Sequence, residues 1–229
     1  MLQPSTIFLA GLTGSISGLL LSMPLGPVNL TIINEGARRG FTRGMLVGLG
    51  ASVMELIYCT IAFTGFSSFF YDRTVKASME VFSFAFLLFL GMKFLMAKTV
   101  AAPTQLGATA GRIEARVGEK LHPHSAFMTG FVRVLGNFGV LLFWIVLAAN
   151  FMSHDWVADT FVAKAVCIIG VALGTNLWFC ALSYGVSRGQ GRFSESTLLR
   201  MQHISGICLI AVGLFDGGHI VWQLARHRI

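Results

Sequence analysis

Charge is what this 229-residue sequence has least of. Asp, Glu, Lys and Arg together make up 12% of it and apolar residues 55%. An ordinary soluble domain carries about 25% charged residues. With a mean hydropathy of +0.73, such a chain could not cover its own surface with polar groups in water, which excludes a soluble domain. Cysteine is scarce too. Cys59, Cys167, Cys180 and Cys208 all stand inside apolar stretches with no C-x-x-C spacing. They read as small buried hydrophobes, not as a disulfide framework or zinc site. No G-x-x-x-x-G-K-[ST] loop occurs, and Gly14-Ser-Ile-Ser-Gly18 puts isoleucine where a nucleophile elbow needs serine. His122-Pro-His124 is too little for a metal site. The chain therefore reads as no enzyme, with no cofactor and no metal. Its formal charge of +7 comes without a basic stripe interleaved with aromatics, so nucleic acid is not an expected partner. Met-Leu-Gln-Pro at the start has neither a basic n-region nor a cleavage site, so no removed signal peptide is expected.

What the sequence has is apolar length, with 26 Gly and 20 Phe of the kind membrane helices tolerate. A span needs about 20 apolar residues to cross a hydrocarbon core of roughly 30 Å. Six stretches qualify: Ile7–Ile33, Met45–Phe70, Ala77–Ala97, Ala126–Phe151, Phe161–Tyr184 and Met201–Leu224. The fold class predicted is an all-α integral membrane protein whose partner is the lipid bilayer. Residues 98–124 form the only extended polar stretch and divide residues 1–97 from residues 125–229, three spans each.

Loop charge sets the direction. With the N-terminus outside, Arg38, Arg39, Arg43, Lys93, Lys98, Arg112, Arg116, Lys120, Arg188, Arg192 and Arg200 lie on the cytoplasmic side. Arg73, Lys76, Lys164, Arg226 and Arg228 lie opposite, so the excess of basic residues inside favours both termini outside. Two halves with an odd number of spans insert with opposite topology, giving a 3+3 inverted repeat, a common transporter architecture. Short echoes support it: Phe8-Leu-Ala-Gly11 with Phe127-Met-Thr-Gly130, Leu25-Gly26 with Leu135-Gly136, and Leu87-Leu-Phe-Leu-Gly91 with Leu209-Ile-Ala-Val-Gly213.

Polar chemistry concentrates in a few places. In the first span, Pro24-Leu-Gly-Pro-Val-Asn29 puts two prolines either side of Gly26. Each proline removes a donor and clashes with the carbonyl four residues back, here Leu20 and Met23. Freed carbonyls at membrane depth are tolerated only against protein or a water-filled cavity, and transporters place substrate at such broken helices. A proline kink packed by its neighbours is the competing explanation. Glu55 is the one acid well inside the second span, roughly 15 Å from Met45 along a helix, at the depth of Pro24–Pro27. A carboxylate at the bilayer centre costs at least about 2.5 kcal/mol, so Glu55 should face the interior as a proton carrier or ammonium partner. A hydrogen-bonded helix contact is the alternative. In the fourth span Asn137, between Gly136 and Gly139, is the better interior candidate, while Arg133 either pairs with a carboxylate or snorkels to the headgroups. Asn176 and Asp216 are further candidates; His219 shares a face with Asp216. Trp178 and Trp222 read as packing or belt aromatics. Glycines at 11, 14, 18, 44 and 48 read as helix-packing faces.

These residues resemble the lysine-exporter (LysE/RhtB-type) amino-acid translocator family. The resemblance rests on Pro24-Leu-Gly-Pro-Val-Asn-Leu30, Gly36-Ala-Arg-Arg-Gly40, and Gly44-x-x-x-Gly48 leading to Glu55. Phe86-Leu-Leu-Phe-Leu-Gly91-Met-Lys93 and the run from Gly130-Phe131 through Asn137 to Leu142-Phe143-Trp144 extend it over most of the chain. Two departures stand out. Asn137-Phe138-Gly139 keeps only the Asn of the family's Asn-Pro-Lys, and Arg133 replaces an uncharged position. The resemblance implies ATP-independent export of amino acids or similar small metabolites across a bacterial inner membrane. Pro24, Gly26, Pro27, Asn29 and Asn137 would then bind substrate and Glu55 would couple a proton; a homo-oligomer is allowed. A transmembrane thiol-redox protein, using Cys59 with Cys167 or Cys180, and a metal-ion exporter are the alternatives from other classes.

Overall fold

The computed structural model describes residues 4–24, 26–65, 73–97, 125–188 and 195–226. The polar stretch at 98–124 thus lies outside the described residues. In a bilayer, backbone N–H and C=O groups find no water, so apolar runs of this kind satisfy themselves as helices. Among the described residues there are eight helices and no strand. They are α1 (Pro4–Ser22), α2 (Pro27–Arg39), α3 (Phe41–Gly65), α4 (Arg73–Leu95), α5 (Ala126–Leu135), α6 (Phe138–Ser153), α7 (Phe161–Arg188) and α8 (Glu195–Arg226).

Three of these, α1, α3 and α7, are each long and apolar enough to cross a membrane, and a fourth span is added if α5 and α6 are taken as one. α4 and α8 contain shorter apolar stretches, Val81–Leu95 and Leu199–Phe215. The first and fourth expected spans are each divided. Ile7–Ile33 is interrupted at 23–26 between α1 and α2, and Ala126–Phe151 at 136–137, where the chain bends by 68° between α5 and α6. Gly40 alone joins α2 to α3 and adopts φ +83°, a conformation that only glycine enters without strain.

Large apolar side chains point outward at helical spacing: Phe8, Leu12 and Ile16 on α1, Ile169, Leu173 and Leu177 on α7, Ile204 and Ile207 on α8. Leu173 is 65% exposed and Leu177 63%, a pattern that makes sense only against lipid. The chain is a multi-pass membrane protein. Inside, Ile32, Val47, Cys59, Phe63, Leu87, Val171 and Phe179 are fully or almost fully buried.

Lipid tails are as apolar as leucine, so helices in a bilayer associate through close packing and small residues. Three seams do this here. α1 runs alongside α7 in the same direction, and a Cβ on Gly14, Gly18 or Gly174 would collide with the partner backbone at Cys167, Val171 and Ser15 respectively. α3 and α5 also run in the same direction, with Gly50 against Phe127 and Gly130 against Val47. α4 and α8 run antiparallel and cross at Gly91 and Gly206. A fourth pairing, α3 antiparallel to α7, places Gly48 on the Phe179 ring and Gly44 beside Ser183.

The seams make a direct prediction. Gly130→Ala drives a methyl into the Val47 carbonyl and should cost about 1–3 kcal/mol in unfolding from detergent micelles. Gly218→Ala, where a Cβ meets nothing within 4 Å, should leave the transition where it is.

Candidate functional site

The two interruptions are repaired differently, and the repairs define the site. At the first, Asn29 in the first turn of α2 is 3% exposed and turns back on the break. Its Nδ2 donates to the Ser22 carbonyl at 2.8 Å and to the Pro24 carbonyl at 2.7 Å. Its Oδ1 accepts from the Trp178 indole N–H at 3.3 Å. The carbonyls that need a partner are thus those of Ser22 and Pro24, and the amide of Asn29 holds both. Pro27 opens α2, where a missing N–H costs nothing, and Gly26 is an N-cap with no side-chain cap. A Cβ at Gly26 would meet nothing within 4 Å among the described residues, so there is room beside Gly26 itself.

At the second interruption, the Tyr58 hydroxyl of α3 donates to the Leu135 carbonyl at 2.8 Å, filling the acceptor at the end of α5. Asn137 caps the next helix, its Oδ1 accepting from the Gly139 N–H at 3.2 Å. The Asn137 side chain is half-buried.

Between the two breaks lies Glu55. Thr175, 1% exposed at the middle of α7, places its Oγ1 3.4 Å from Glu55 Oε2, 3.1 Å from Ser22 Oγ and 3.3 Å from the Gly18 carbonyl. One residue on, Asn176 Nδ2 donates to Ser52 Oγ and to the Ala172 carbonyl, both at 2.8 Å. Asn176 Oδ1 is buried with no hydrogen-bond partner among the described residues. Ser52, Glu55 and Tyr58 succeed one another at every third residue of α3, so one helix face carries the hydroxyl, the carboxyl and the phenol.

The structure therefore brings Pro24, Asn29, Glu55 and Asn176 into one continuous polar seam, with Gly26 and Pro27 at its end. Arg133 is exposed in the last turn of α5. Asp216 lies on α8, and its side chain, like that of His219, is outside the described residues. Ser22, Ser52, Tyr58 and Thr175 belong to the seam but carry no sequence signal beyond a hydroxyl in an apolar run. Trp178, which reads from sequence as a packing aromatic, donates to Asn29. Cys59 and Cys167 are completely buried free thiols, and Cys180 and Cys208 are half-buried free thiols. Among the described residues no group of three or more His, Cys, Asp or Glu gathers as a metal site.

An apolar cavity of about 340 Å³ lies elsewhere, between Leu9, Leu12, Ile16 and Leu20 of α1 and Leu209 and Val212 of α8. It opens on the face of α1 opposite the glycine seam, away from Glu55.

Residues 19–215 match the family model described as "LysE type translocator". The chain belongs to the LysE-type translocator family. It is 26% identical over 209 residues, 91% of this chain and 95% of the relative, to a Bacillus subtilis (strain 168) protein named "Putative amino acid efflux protein YcgF". No solved structure matches the chain significantly. As a translocator it moves a small molecule across the membrane.

The repairs can be weighed against each other. Tyr58→Phe leaves one buried carbonyl unpaired and should cost about 1–3 kcal/mol. Asn29→Leu orphans two carbonyls and an indole N–H and should cost more. Unfolding midpoints of the two variants in detergent test that order.

Proposed function

We propose that this translocator exports a small zwitterionic or cationic amino acid, or a similar metabolite, from a bacterial cytoplasm across the inner membrane, coupled to protons through Glu55. It does so as a transporter and not as an enzyme, and neither nucleic acid nor a cofactor takes part. The observation that carries this reading is the position of Glu55, joined through Thr175 to the end of a broken helix in an otherwise apolar interior. The efflux name of the relative supports the substrate class and the direction.

Substrate binding centres on the first break. An ammonium group binds at the Ser22 and Pro24 carbonyls beside Asn29 Oδ1, three acceptors that converge at the break. The uncapped start of α2 presents the positive end of a helix to the substrate carboxylate. Asn137 completes the site from the second broken helix. Glu55 carries the proton and, when ionised, attracts the ammonium; binding one excludes the other, which is the simplest form of exchange.

The architecture belongs to the same proposal. The parallel pairs α1–α7 and α3–α5 exchange under a two-fold axis that also maps α3 onto α7 and α4 onto α8, as a 3+3 inverted repeat of residues 1–97 and 125–229 requires. Both termini lie outside. The four cysteines are dispensable for transport, in contrast to a thiol-redox protein.

Two measurements test this. Cells loaded with a panel of dipeptides should release one amino acid into the medium with the wild type. Glu55→Gln and Asn29→Ala should cut that release at least about tenfold, the effect of losing a charge-assisted contact; unchanged release in both variants would place the site elsewhere. In a cysteine-free background that still exports, a membrane-impermeant maleimide applied to intact cells should label Ser5→Cys and spare Arg188→Cys. The reverse pattern would invert the topology.

A further inference from the structure

Thr175 has one hydroxyl proton and two acceptors that compete for it. The Gly18 carbonyl of α1 stands at 3.3 Å and Glu55 Oε2 of α3 at 3.4 Å. Ser22 Oγ, itself 2.7 Å from the same Gly18 carbonyl, stands 3.1 Å from Thr175 Oγ1 and can donate to it in either state. Thr175 is 1% exposed, Ser22 7%, and Glu55 is half-buried. The acceptor that loses the Thr175 proton is left with one donor fewer. Two near-equal distances to acceptors on different helices make the choice depend on charge. A carboxylate takes a hydroxyl proton more strongly than a neutral carbonyl, and a protonated carboxyl does not need it.

We infer that Thr175 is a positioning residue that couples the charge of Glu55 to the broken helix, fastening α7 to α3 when Glu55 is ionised and to the end of α1 when it is protonated. This rests on the proton-coupled reading of Glu55. The consequence is mechanical. The Gly18 carbonyl lies one turn before Ser22, the last residue of α1, whose own carbonyl is held by Asn29. Asn29 in turn is tied to α7 through Trp178. Moving one hydroxyl proton from α3 to α1 tightens the end of α1 against α7 at the point where α2 begins, and moving it back frees that end. Protonation of Glu55 therefore reaches the substrate-facing break through two hydroxyls, without the carboxyl itself having to move.

Other titratable groups on the helices around Glu55 are Tyr58 and Cys59 on its own helix and the buried Cys167 on α7. The charged residues of the neighbouring helices lie towards their ends. On α2 these are Glu35, paired with Arg39 at 3.5 Å, and Arg38; on α7 they are Lys164, paired with Asp159, and Arg188, stacked on Tyr184. Arg133 of α5 is exposed, and α1 and α6 carry no charged residue.

The test is amino-acid release from dipeptide-loaded cells at acidic and alkaline external pH, with and without a protonophore, with the membrane content of each variant measured. Thr175→Val keeps the shape and removes the proton; Thr175→Ser keeps the proton. Thr175→Val should lose the proton-gradient stimulation of release, about tenfold for one charge-assisted hydrogen bond, while Thr175→Ser retains it. A merely structural Thr175 would lower release in parallel at every pH, and that result, or an unchanged pH profile in Thr175→Val, overturns the inference. Thr175→Cys, similar in size but a weak donor, carries the same expectation should the valine variant not accumulate. Glu55→Gln separates the two levels. If it keeps the wild-type pH profile, the coupling role of Glu55 itself is wrong; if it loses the profile and Thr175→Val does not, only the role of Thr175 is.

Discussion

A backbone carbonyl without a partner is what a hydrocarbon interior does not tolerate, and this chain creates several on purpose. Each interruption of a span exposes acceptors that cannot reach water. The chain answers with side chains brought from elsewhere: Asn29 from one turn beyond the first break, Tyr58 from a different helix for the second. Every other feature of the polar seam depends on those repairs. Asn29 can face backwards only because α2 starts on Gly26 and Pro27, and it is fixed there only because Trp178 of α7 fills its acceptor. Tyr58 reaches Leu135 only because Gly50 and Gly130 let α3 and α5 approach to backbone contact. The polar seam thus follows from making broken helices tolerable in lipid.

The glycine seams explain why the polar seam is narrow and why its polar groups can share it. Larger residues at Gly14, Gly18 or Gly174 would hold α1 away from α7, and Ser22 would no longer reach Thr175. A hydroxyl contact of 3.1 Å between different helices needs its backbones brought together by something, and in a bilayer that something is the absence of side chains between them. Stability and chemistry therefore draw on the same positions.

Much of this is legible in the amino-acid sequence alone. Apolar length, the scarcity of charge, the double proline and a lone acid within an apolar run are each properties of composition or spacing, and they point to membrane helices with an interruption at the depth of Glu55. The repairing contacts are not legible there, because they join residues far apart in the chain: Ser22 to Thr175, Tyr58 to Leu135, Trp178 to Asn29. The carbonyls at the first break differ from expectation for a related reason. Proline geometry points four residues back, to Leu20 and Met23, whereas the acceptors that matter are those left where the helix actually ends, at Ser22 and Pro24. The fourth span reads as one helix loosened by glycines, yet it is two helices meeting at 68°, since Gly136 gives no side chain to hold the turn and Asn137 caps α6 instead of continuing α5. Thr175 has no signal at all: a threonine in an apolar helix is common, and only its neighbours give it meaning.

The separation of the apolar cavity from the polar seam bears on the route a substrate takes. The cavity lies on the side of α1 opposite the glycine seam, walled mostly by apolar side chains with Thr13, Ser17 and Ser205 among them and no charged residue. Entering it would cost a charged molecule much of its hydration with no charged partner in return. On the proposed reading, the seam between α1–α2, α3 and α7 supplies the compensating contacts. α2 is bounded by a break on one side and a single left-handed glycine, Gly40, on the other, so non-helical residues flank this short helix at both ends. A path past Glu55 on the proposed exchange mechanism is then most simply opened by displacing α2, with Asn29 as the contact that must be given up first.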